Sequence, residues 1–308
     1  MLKGGKSPVL TLAEKCKNIL ASNWKGSLNS IKADAKGSKE EIYTSKVKYF
    51  VKKGKPFIWI PEKDLHNVNF LIDERSSFAV SSPFPGPLAN LLKSIEKLPA
   101  RVALMGDTVR LTEEKAKLVT ESIRETLLAD QNAVKDSSYS VSGILNSSCA
   151  GPVPRSTNLL ELLEGNEQYS VYKFDMSSCT YIDCNRGVHE VNVEDIEESK
   201  ADSLSHFSMS LIDGINQSEV RRRALVLLCI NYLNINAKDA LLLSLDRKGF
   251  DVLAKVPGCV KVDGSQEYQW KELRFTLKEE ARDVEAFCNQ LLQMEEDALH
   301  KISHLSGL

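Results

Sequence analysis

Apolar and polar residues alternate over most of the first two hundred positions, and this period of two predicts β-strands. The alternation is clearest in residues 41–60, where KKGK separates two strand-like runs and predicts a β-hairpin. Residues 171–193 repeat the pattern around DCNRG and predict a second hairpin. Three further runs have strand character: WKGSLNSI at 24–31, SSFAVS at 76–81 and ARVALMGDTVRL at 100–111.

Helical periodicity interrupts the strands at three places. Thr11 and Glu14 have the spacing of a capping box, which predicts that a helix begins here. The apolar residues that follow share one helical face: Leu12, Cys16, Ile19 and Leu20. Residues 63–72 predict a short helix, and a longer helix is expected after Thr112.

The pattern changes after Glu194, where helices and strands mix. We expect two helices, a hairpin around Gly249, one more strand and a long amphipathic terminal helix. The three strands predict a small second sheet. The fold class is therefore α+β, with mostly antiparallel strands.

These shifts divide the chain into segments. We expect an N-terminal tail at 1–10, a strand-rich domain at 11–197 and a smaller α+β domain at 198–308. Residues 135–160 are rich in Ser, Gly, Pro and Asn, which predicts a loop insertion in the first domain.

Composition restricts the classes of partner and the compartment that we expect for this chain. The 308 residues carry a formal net charge of −2, so no global field recruits nucleic acid or an anionic membrane. No apolar run approaches the roughly 20 residues of a membrane span, and none is expected. Seven cysteines without a C-x-x-C pair argue against a secreted disulfide framework and for a reducing compartment.

Cys179, Cys184 and His189 lie at equal five-residue spacings, which suggests either a metal site or a hairpin with incidental cysteines. One strand is predicted to run through both cysteines, so we expect their side chains to point to opposite faces and not to share an ion. We therefore favour the hairpin and expect no metal site.

Several short motifs resemble a known family. DLHNVNFLIDERSSFAV resembles the family pattern His-Thr-x-Asn-Leu…Asp-x-Arg-x-Ser through His66, Asn69, Asp73 and Arg75. RVALMGDTVRL is similar to the next strand of that fold, and YKFDMSSCTYIDCNRG to its closing hairpin. SLIDGIN and LDRKGFDVLAKV resemble the accompanying small domain.

On these residues the chain resembles the split-barrel FMN-binding-like family, also called pyridoxamine 5'-phosphate oxidase-like. It is most similar to the HugZ-like haem-degrading branch, which includes plant plastid relatives such as the glutamyl-tRNA-reductase-binding protein. The resemblance covers roughly residues 12–300 and implies a six-stranded antiparallel split β-barrel followed by a smaller α+β domain. It also implies a homodimer.

The resemblance suggests which residues contact a cofactor. Flavin-binding relatives hold the phosphate with Ser, Arg and Lys side chains from the second strand and from the turn before the short helix. The corresponding candidates are Lys46, Lys48, His66, Asn69, Arg75 and Arg101. Pro61 stands where relatives often have a Ser donor, and His66 replaces a permanent cation. We therefore expect FMN to bind weakly or not at all, whereas haem is a possible ligand.

Several of the candidate histidines and arginines have two possible roles. His66 either contacts an anion or is a helix-start residue bonded to backbone. Arg75 and Arg101 either grip an anion or are solvated or salt-bridged. In the small domain, relatives carry His-Met-Asn-x-Asp-His, but residues 214–219 read GINQSE, which removes both histidines and the Asp. His300 and His304 have metal-ligand or axial-haem spacing, although a plain helix face is favoured.

Two functional hypotheses follow from the resemblance. The first is a regulatory or tetrapyrrole-binding homodimer with an eroded flavin site. The second is an enzyme, either an FMN-dependent oxidoreductase or a HugZ-like haem oxygenase. Convergence of Lys46, Lys48, His66 and Arg75 on one cleft would favour the second.

The resemblance also suggests a compartment and partners. The plant relatives imply the plastid stroma, with a tetrapyrrole-pathway or other plastid protein as a partner. The opening MLKGGKSPVL lacks the apolar core of a secretory signal and is too short for a transit peptide, as expected of a mature or trimmed chain. Otherwise we expect a reducing intracellular compartment.

Overall fold

The computed structural model of the chain describes residues 9–34, 37–84, 86–135, 141, 143–144, 155–260 and 266–306. Within these ranges the side chains of 37–40, 133–135, 259–260 and 302–306 are not described. Among the described helices, none is long and apolar enough to cross a membrane.

Six antiparallel strands close into a barrel, and a seventh extends it. The strands are β1 (Lys25–Asp34), β2 (Gly37–Lys52), β3 (Lys55–Pro61), β4 (Arg75–Ser81), β5 (Arg101–Arg110), β6 (Tyr169–Ile182) and β7 (Val188–Val191). Their order is β3-β2-β1-β4-β5-β6-β7, and pairing of β3 with β6 closes the ring. Both predicted hairpins, β2–β3 and β6–β7, are confirmed.

Alternation along each strand fills the barrel interior. Tyr49, Phe78 and Phe174 are fully buried there, and the Tyr49 and Phe78 rings meet edge to face at 4.9 Å between centroids. A β-bulge at Met105 and Gly106 brings β5 close to β6. A Cβ at Gly106 would lie 2.0 Å from the carbonyl oxygen of Asp175, so only glycine fits.

Helices also accompany the barrel strands in sequence. They are α1 (Leu12–Ser22), α2 (His66–Ile72), α3 (Gly86–Ser94), α4 (Glu113–Lys135), α5 (Arg155–Glu164) and α6 (Val193–Glu198). The capping box at the start of α1 is confirmed, since Thr11 and Glu14 exchange side chain-to-backbone hydrogen bonds. Helices α4 and α5 bury Ile123 and Leu159 against Phe50 and Trp59 on the outside of β2 and β3.

The second sheet also agrees with the prediction. It contains β8 (Asp239–Asp246), β9 (Gly249–Val260) and β10 (Gln266–Thr276) in the order β10-β9-β8. Helices α7 (Ser208–Gln217), α8 (Glu219–Leu233) and α9 (Val284–Ser306) accompany it. Phe250 stacks on Phe275 and meets Phe287 edge to face in the core. The chain thus has an α+β fold built on a closed six-stranded antiparallel barrel.

Two segments differ from the prediction. Residues 155–160 were expected to be part of a loop insertion, but they form the first part of α5, because Leu159 and Leu160 bury against the barrel. The other residues of this insertion are mostly outside the described ranges, although Val141 and Ile144 are buried. Helix α3 was not predicted, and its Leu88 and Leu92 join the hydrophobic cluster of the second sheet. That core therefore draws on residues well before 198.

Candidate functional site

His66 lies at the start of α2, which packs against β1 and β2 at one end of the barrel. Its side chain is fully buried, with Nδ1 2.7 Å from Oγ of Ser30 and Nε2 3.1 Å from Oγ of Ser45. Burial lowers the pKa of His66 to about 4, and the nearby Asp64 carboxylate only partly opposes this. A neutral ring held by two serine hydroxyls joins α2 to β1 and β2.

Asn69, one helical turn after His66, also joins α2 to β1. Its Nδ2 donates to Oγ of Ser30 at 2.8 Å, and its Oδ1 accepts the backbone N–H of Ala33 at 3.0 Å. Asn69 is 4% exposed. The polar atoms of His66 and Asn69 thus have protein partners, and their predicted cofactor contacts stay predictions.

The four predicted cations lie on the outside of the barrel, each in its own setting. Lys46 Nζ donates to Oγ of Ser27 at 2.7 Å, and Lys48 Nζ donates to the Tyr169 hydroxyl at 3.0 Å. The guanidinium of Arg75 makes a bidentate contact with Asp73, while 72% of its side chain remains exposed. Contact with this arginine holds the pKa of Asp73 below its usual range.

Strand register shows that these cations do not converge. Arg75 pairs with Asp107 and Ser81 with Arg101, so Arg75 and Arg101 are separated by six residues along β5. At ~3.3 Å per residue this is about 20 Å. Lys46 lies on β2, three strand spacings from β5, or about 14 Å at ~4.8 Å per strand. The described residues therefore form no compact cradle for a phosphate from this set.

A shallow groove of about 400 Å³ crosses the outer face of β1, β4 and β5. Its floor is a neutral hydrogen-bonded ladder, in which Thr44 donates to Asn29 at 2.7 Å and Asn29 donates to Ser77 at 2.9 Å. Ile42 and Met105 at its edges are 67% and 60% exposed. Of the predicted residues only Arg75 lines this groove.

A larger cleft of about 620 Å³ lies between α1, the β6–β7 turn and the second sheet. Much of its wall is apolar, and none of the six predicted residues is among the described residues that line it. The apolar side chains in the wall include Leu10, Ile19, Phe84, Leu98, Tyr181 and Leu243. No local motif points to this cleft, because its walls come from segments far apart in the sequence.

Arg274 lies between two carboxylates of this cleft. Its Nη2 donates to both carboxylate oxygens of Asp246 at 2.8 Å, and its Nη1 donates to Asp251 at 3.2 Å. Asp251 also accepts a hydrogen bond from Ser244. Burial raises the pKa of Asp251 despite the arginine. Burial opposes the charge on Arg274, but the two carboxylates outweigh it and raise the pKa of the guanidinium.

The β6–β7 turn supplies the other end of the cleft and corrects one prediction. We expected Cys179 and Cys184 on opposite faces of one strand, but β6 ends at Ile182 and Cys184 lies in the turn. The reason is Asp183, whose Oδ1 accepts the backbone N–H groups of Asn185 and Gly187, both at 2.8 Å. Burial raises the pKa of the Cys184 thiol.

His189 follows on β7, where its Nε2 lies 3.0 Å from Oδ2 of Asp183. Within the described part of the chain, no group of His, Cys, Asp and Glu side chains is arranged to hold a metal ion. His300 is exposed on α9, whereas the side chain of His304 lies outside the description.

Comparison with solved structures agrees with an α+β split-barrel-like fold, although no family model matches the sequence. A haem-binding protein from Mycobacterium smegmatis is 16% identical with a TM-score of 0.53, covering 95% of this chain and 99% of that chain. At this identity the likeness shows the fold alone.

Two further matches are weaker or shorter. ChuZ from Campylobacter jejuni is 10% identical with a TM-score of 0.35, covering 56% of this chain and 55% of that chain. An uncharacterised protein of Arabidopsis thaliana is 27% identical over 130 residues, which are 41% of this chain. The match spans only 26% of that protein's length.

Proposed function

We propose that this protein binds a tetrapyrrole, with haem as the ligand, and that it acts as a regulatory binding protein. The observation that carries the proposal is the 620 Å³ cleft between the barrel and the second sheet. The cleft has much apolar surface and carries both cations and carboxylates, and such a lining suits a flat apolar ring with charged substituents. The mycobacterial protein of similar fold is a haem-binding protein.

The described residues of the cleft fit the parts of haem. Phe84, Leu98 and Tyr181 offer apolar and aromatic surface for the ring. Lys15 and Lys97 are the lysines of the wall. Lys97 Nζ already donates to Glu272 at 2.8 Å, so we assign Lys15 to a propionate. His189 is the imidazole of the wall, its Nε2 lies 3.0 Å from Oδ2 of Asp183, and it is the residue that would hold the haem iron. When bound, haem would supply redox and ligand-binding chemistry at its iron.

The residues present do not fit FMN. A flavin phosphate carries close to two negative charges and needs several fixed donors around one point. Lys46, Lys48 and Arg75 are separated on the outer face, and each already has a protein partner. His66 is buried and neutral at pH 7, so it adds no cation. This scatter favours the binding protein over the flavin-dependent oxidoreductase.

We further propose a homodimer formed through the outer surface around α2. Helix α2 exposes an apolar side next to the groove that Ile42 and Met105 border. Contiguous exposed apolar surface of this kind marks interaction sites. The large apolar residues of this surface are between 54% and 73% exposed: Leu65, Val68, Leu71 and Ile72.

We also propose that the protein lies in the plastid stroma and that its partner is a tetrapyrrole-pathway protein, because the HugZ-like branch includes plastid members. A relative in Arabidopsis thaliana supports a plant setting. Fractionation of leaf cells with an antibody against this chain tests the compartment, and recovery outside chloroplasts would contradict it.

Titration of the purified chain with haemin and, in parallel, with FMN tests the ligand. We expect a shifted Soret band with haemin and no quenching of FMN fluorescence. His189→Ala should weaken haemin binding at least about tenfold, a loss of ~1.4 kcal/mol, and change the spectrum. His206→Ala is the matched control, because His206 also pairs with an aspartate, Asp130, but does not line the cleft.

Three outcomes would contradict the proposal. A submicromolar FMN affinity would move the flavoenzyme to first place. Haemin binding that is lost in Arg75→Ala but kept in His189→Ala would move the ligand to the outer face. Loss of the Soret band with release of iron on adding a reductant would support the haem oxygenase alternative.

A further inference from the structure

Two cysteines from distant parts of the chain meet inside the barrel. Cys16 on α1 is 0% exposed, Cys179 on β6 is 2% exposed, and their sulfur atoms lie 3.9 Å apart. They belong to one apolar cluster, which also contains Leu20, Tyr181 and Ile196. Both are free thiols.

The two backbone elements hold the sulfurs in contact from opposite sides. Cys16 lies on the face of α1 that also buries Leu20, and the Tyr49 hydroxyl fixes this helix by donating to the Leu20 carbonyl at 2.7 Å. Cys179 points inward from β6 between its neighbours on β5 and β7, Leu104 and Val191. A disulfide needs the sulfurs at ~2.05 Å, so rotation of the two side chains must close about 2 Å.

The two thiols share one hydrogen bond in an apolar setting. The contact with Cys179 raises the pKa of Cys16, and burial adds to the rise. The thiolate is the reactive form, so either sulfur becomes reactive once it loses its proton, and its neighbour is already in contact to complete the bond.

The cleft gives a small oxidant a route to this pair. Ile19 lies one turn after Cys16 on α1, and Tyr181 lies two residues after Cys179 on the same face of β6. Both Ile19 and Tyr181 line the 620 Å³ cleft. One layer of side chains therefore separates the thiols from a cavity open to solvent.

We propose that Cys16 and Cys179 are an oxidisable pair that hydrogen peroxide converts to a disulfide. The thiolate of one cysteine attacks a peroxide oxygen, so an S–O bond forms, the O–O bond breaks and water leaves after taking a proton. The other thiol then attacks the resulting sulfenic acid, forming the S–S bond and releasing a second water. Two thiols and one peroxide thus give one disulfide and two waters, and a dithiol reductant reduces the disulfide back to the two thiols. The bond joins α1 to β6, which both contribute to the cleft wall.

Peptide mapping of the full chain tests the pair directly. The reduced protein is treated with hydrogen peroxide, denatured in an alkylating reagent and digested. We expect a peptide that links Cys16 to Cys179, the mass loss of two hydrogens, and complete reversal by dithiothreitol. The wild-type chain suffices for this measurement, so it does not depend on a variant that folds poorly.

Single substitutions separate the pair from the other cysteines. Cys184→Ser should leave the linked peptide unchanged, although the half-buried Cys184 is the more accessible thiol. Cys16→Ala should abolish the link and leave Cys179 as an alkylatable thiol or a sulfenic acid. The proposal is overturned if peroxide leaves Cys16 and Cys179 fully alkylatable, or if it links either one to a different cysteine. Haemin binding does not enter this test, so its result stands apart from the proposed ligand.

Discussion

At the scale of single residues, the structure gives His66 a meaning that its sequence motif does not reveal. The motif suggested an anion contact at the start of a helix, and the helix is confirmed. The side chain instead enters the barrel end, stacked on Phe70 with 5.6 Å between ring centroids and bonded to Ser30 and Ser45. Sequence periodicity places His66 on α2, but only the packing of α2 on the barrel buries it.

Burial of a neutral histidine predicts a pH dependence of stability. The pKa of His66 is about 4 in the folded chain against 6.5 as its ordinary value. Between these two pH values His66 is therefore protonated in the unfolded chain but neutral in the folded chain. The contribution is fully present above pH ~6.5 and falls by about 3 kcal/mol as pH drops to ~4, at ~1.36 kcal/mol per pKa unit.

Urea unfolding at a series of pH values from 7 to 4 measures this effect. His66→Gln should show a shallower loss of unfolding free energy than the wild type, whatever its stability at pH 7. Parallel profiles for wild type and His66→Gln would contradict the burial argument.

At the scale of elements, the sequence pattern was sufficient to predict those strands and helices whose own residues specify them. The β2–β3 hairpin has regular alternation and a tight turn at Lys53 and Gly54, both with positive φ. Helix α3 escaped prediction because the prolines and glycine of SPFPGP mask its start, and its apolar residues find their partners far along the chain. The cleft escaped for the same reason, since its walls meet only in the folded molecule.

The bulge between β5 and β6 gives a prediction at this scale. Gly106→Ala should lower the free energy of unfolding by about 1–3 kcal/mol, because the added Cβ meets the Asp175 carbonyl and forces the strands apart. Gly86→Ala is the matched control, since a Cβ there meets no heavy atom within 4 Å, and its change should stay within about 0.5 kcal/mol. Equal effects in chemical denaturation would show that β5 moves to accept the methyl group.

At the scale of the whole molecule, the apolar surface around α2 bears on the oligomeric state. Leu71 is 73% exposed there, and Leu118 on α4 is exposed to the same extent away from it. A charge at a buried dimer contact is costly, so Leu71→Lys should raise the dimer Kd at least about tenfold, whereas Leu118→Lys should leave it unchanged. Sedimentation velocity over a range of concentrations measures both. A monomeric wild type at high concentration would exclude the proposed homodimer.

The participation of α3 in the second core also has a consequence for synthesis on the ribosome. Leu88 and Leu92 emerge more than a hundred residues before Leu225 and Phe250, which share their hydrophobic cluster. Until those later segments leave the exit tunnel, α3 has an apolar face without its native cover, and contacts of such long sequence separation form slowly. The nascent chain therefore has a period in which the apolar face of α3 is uncovered, and completion of the chain ends that period.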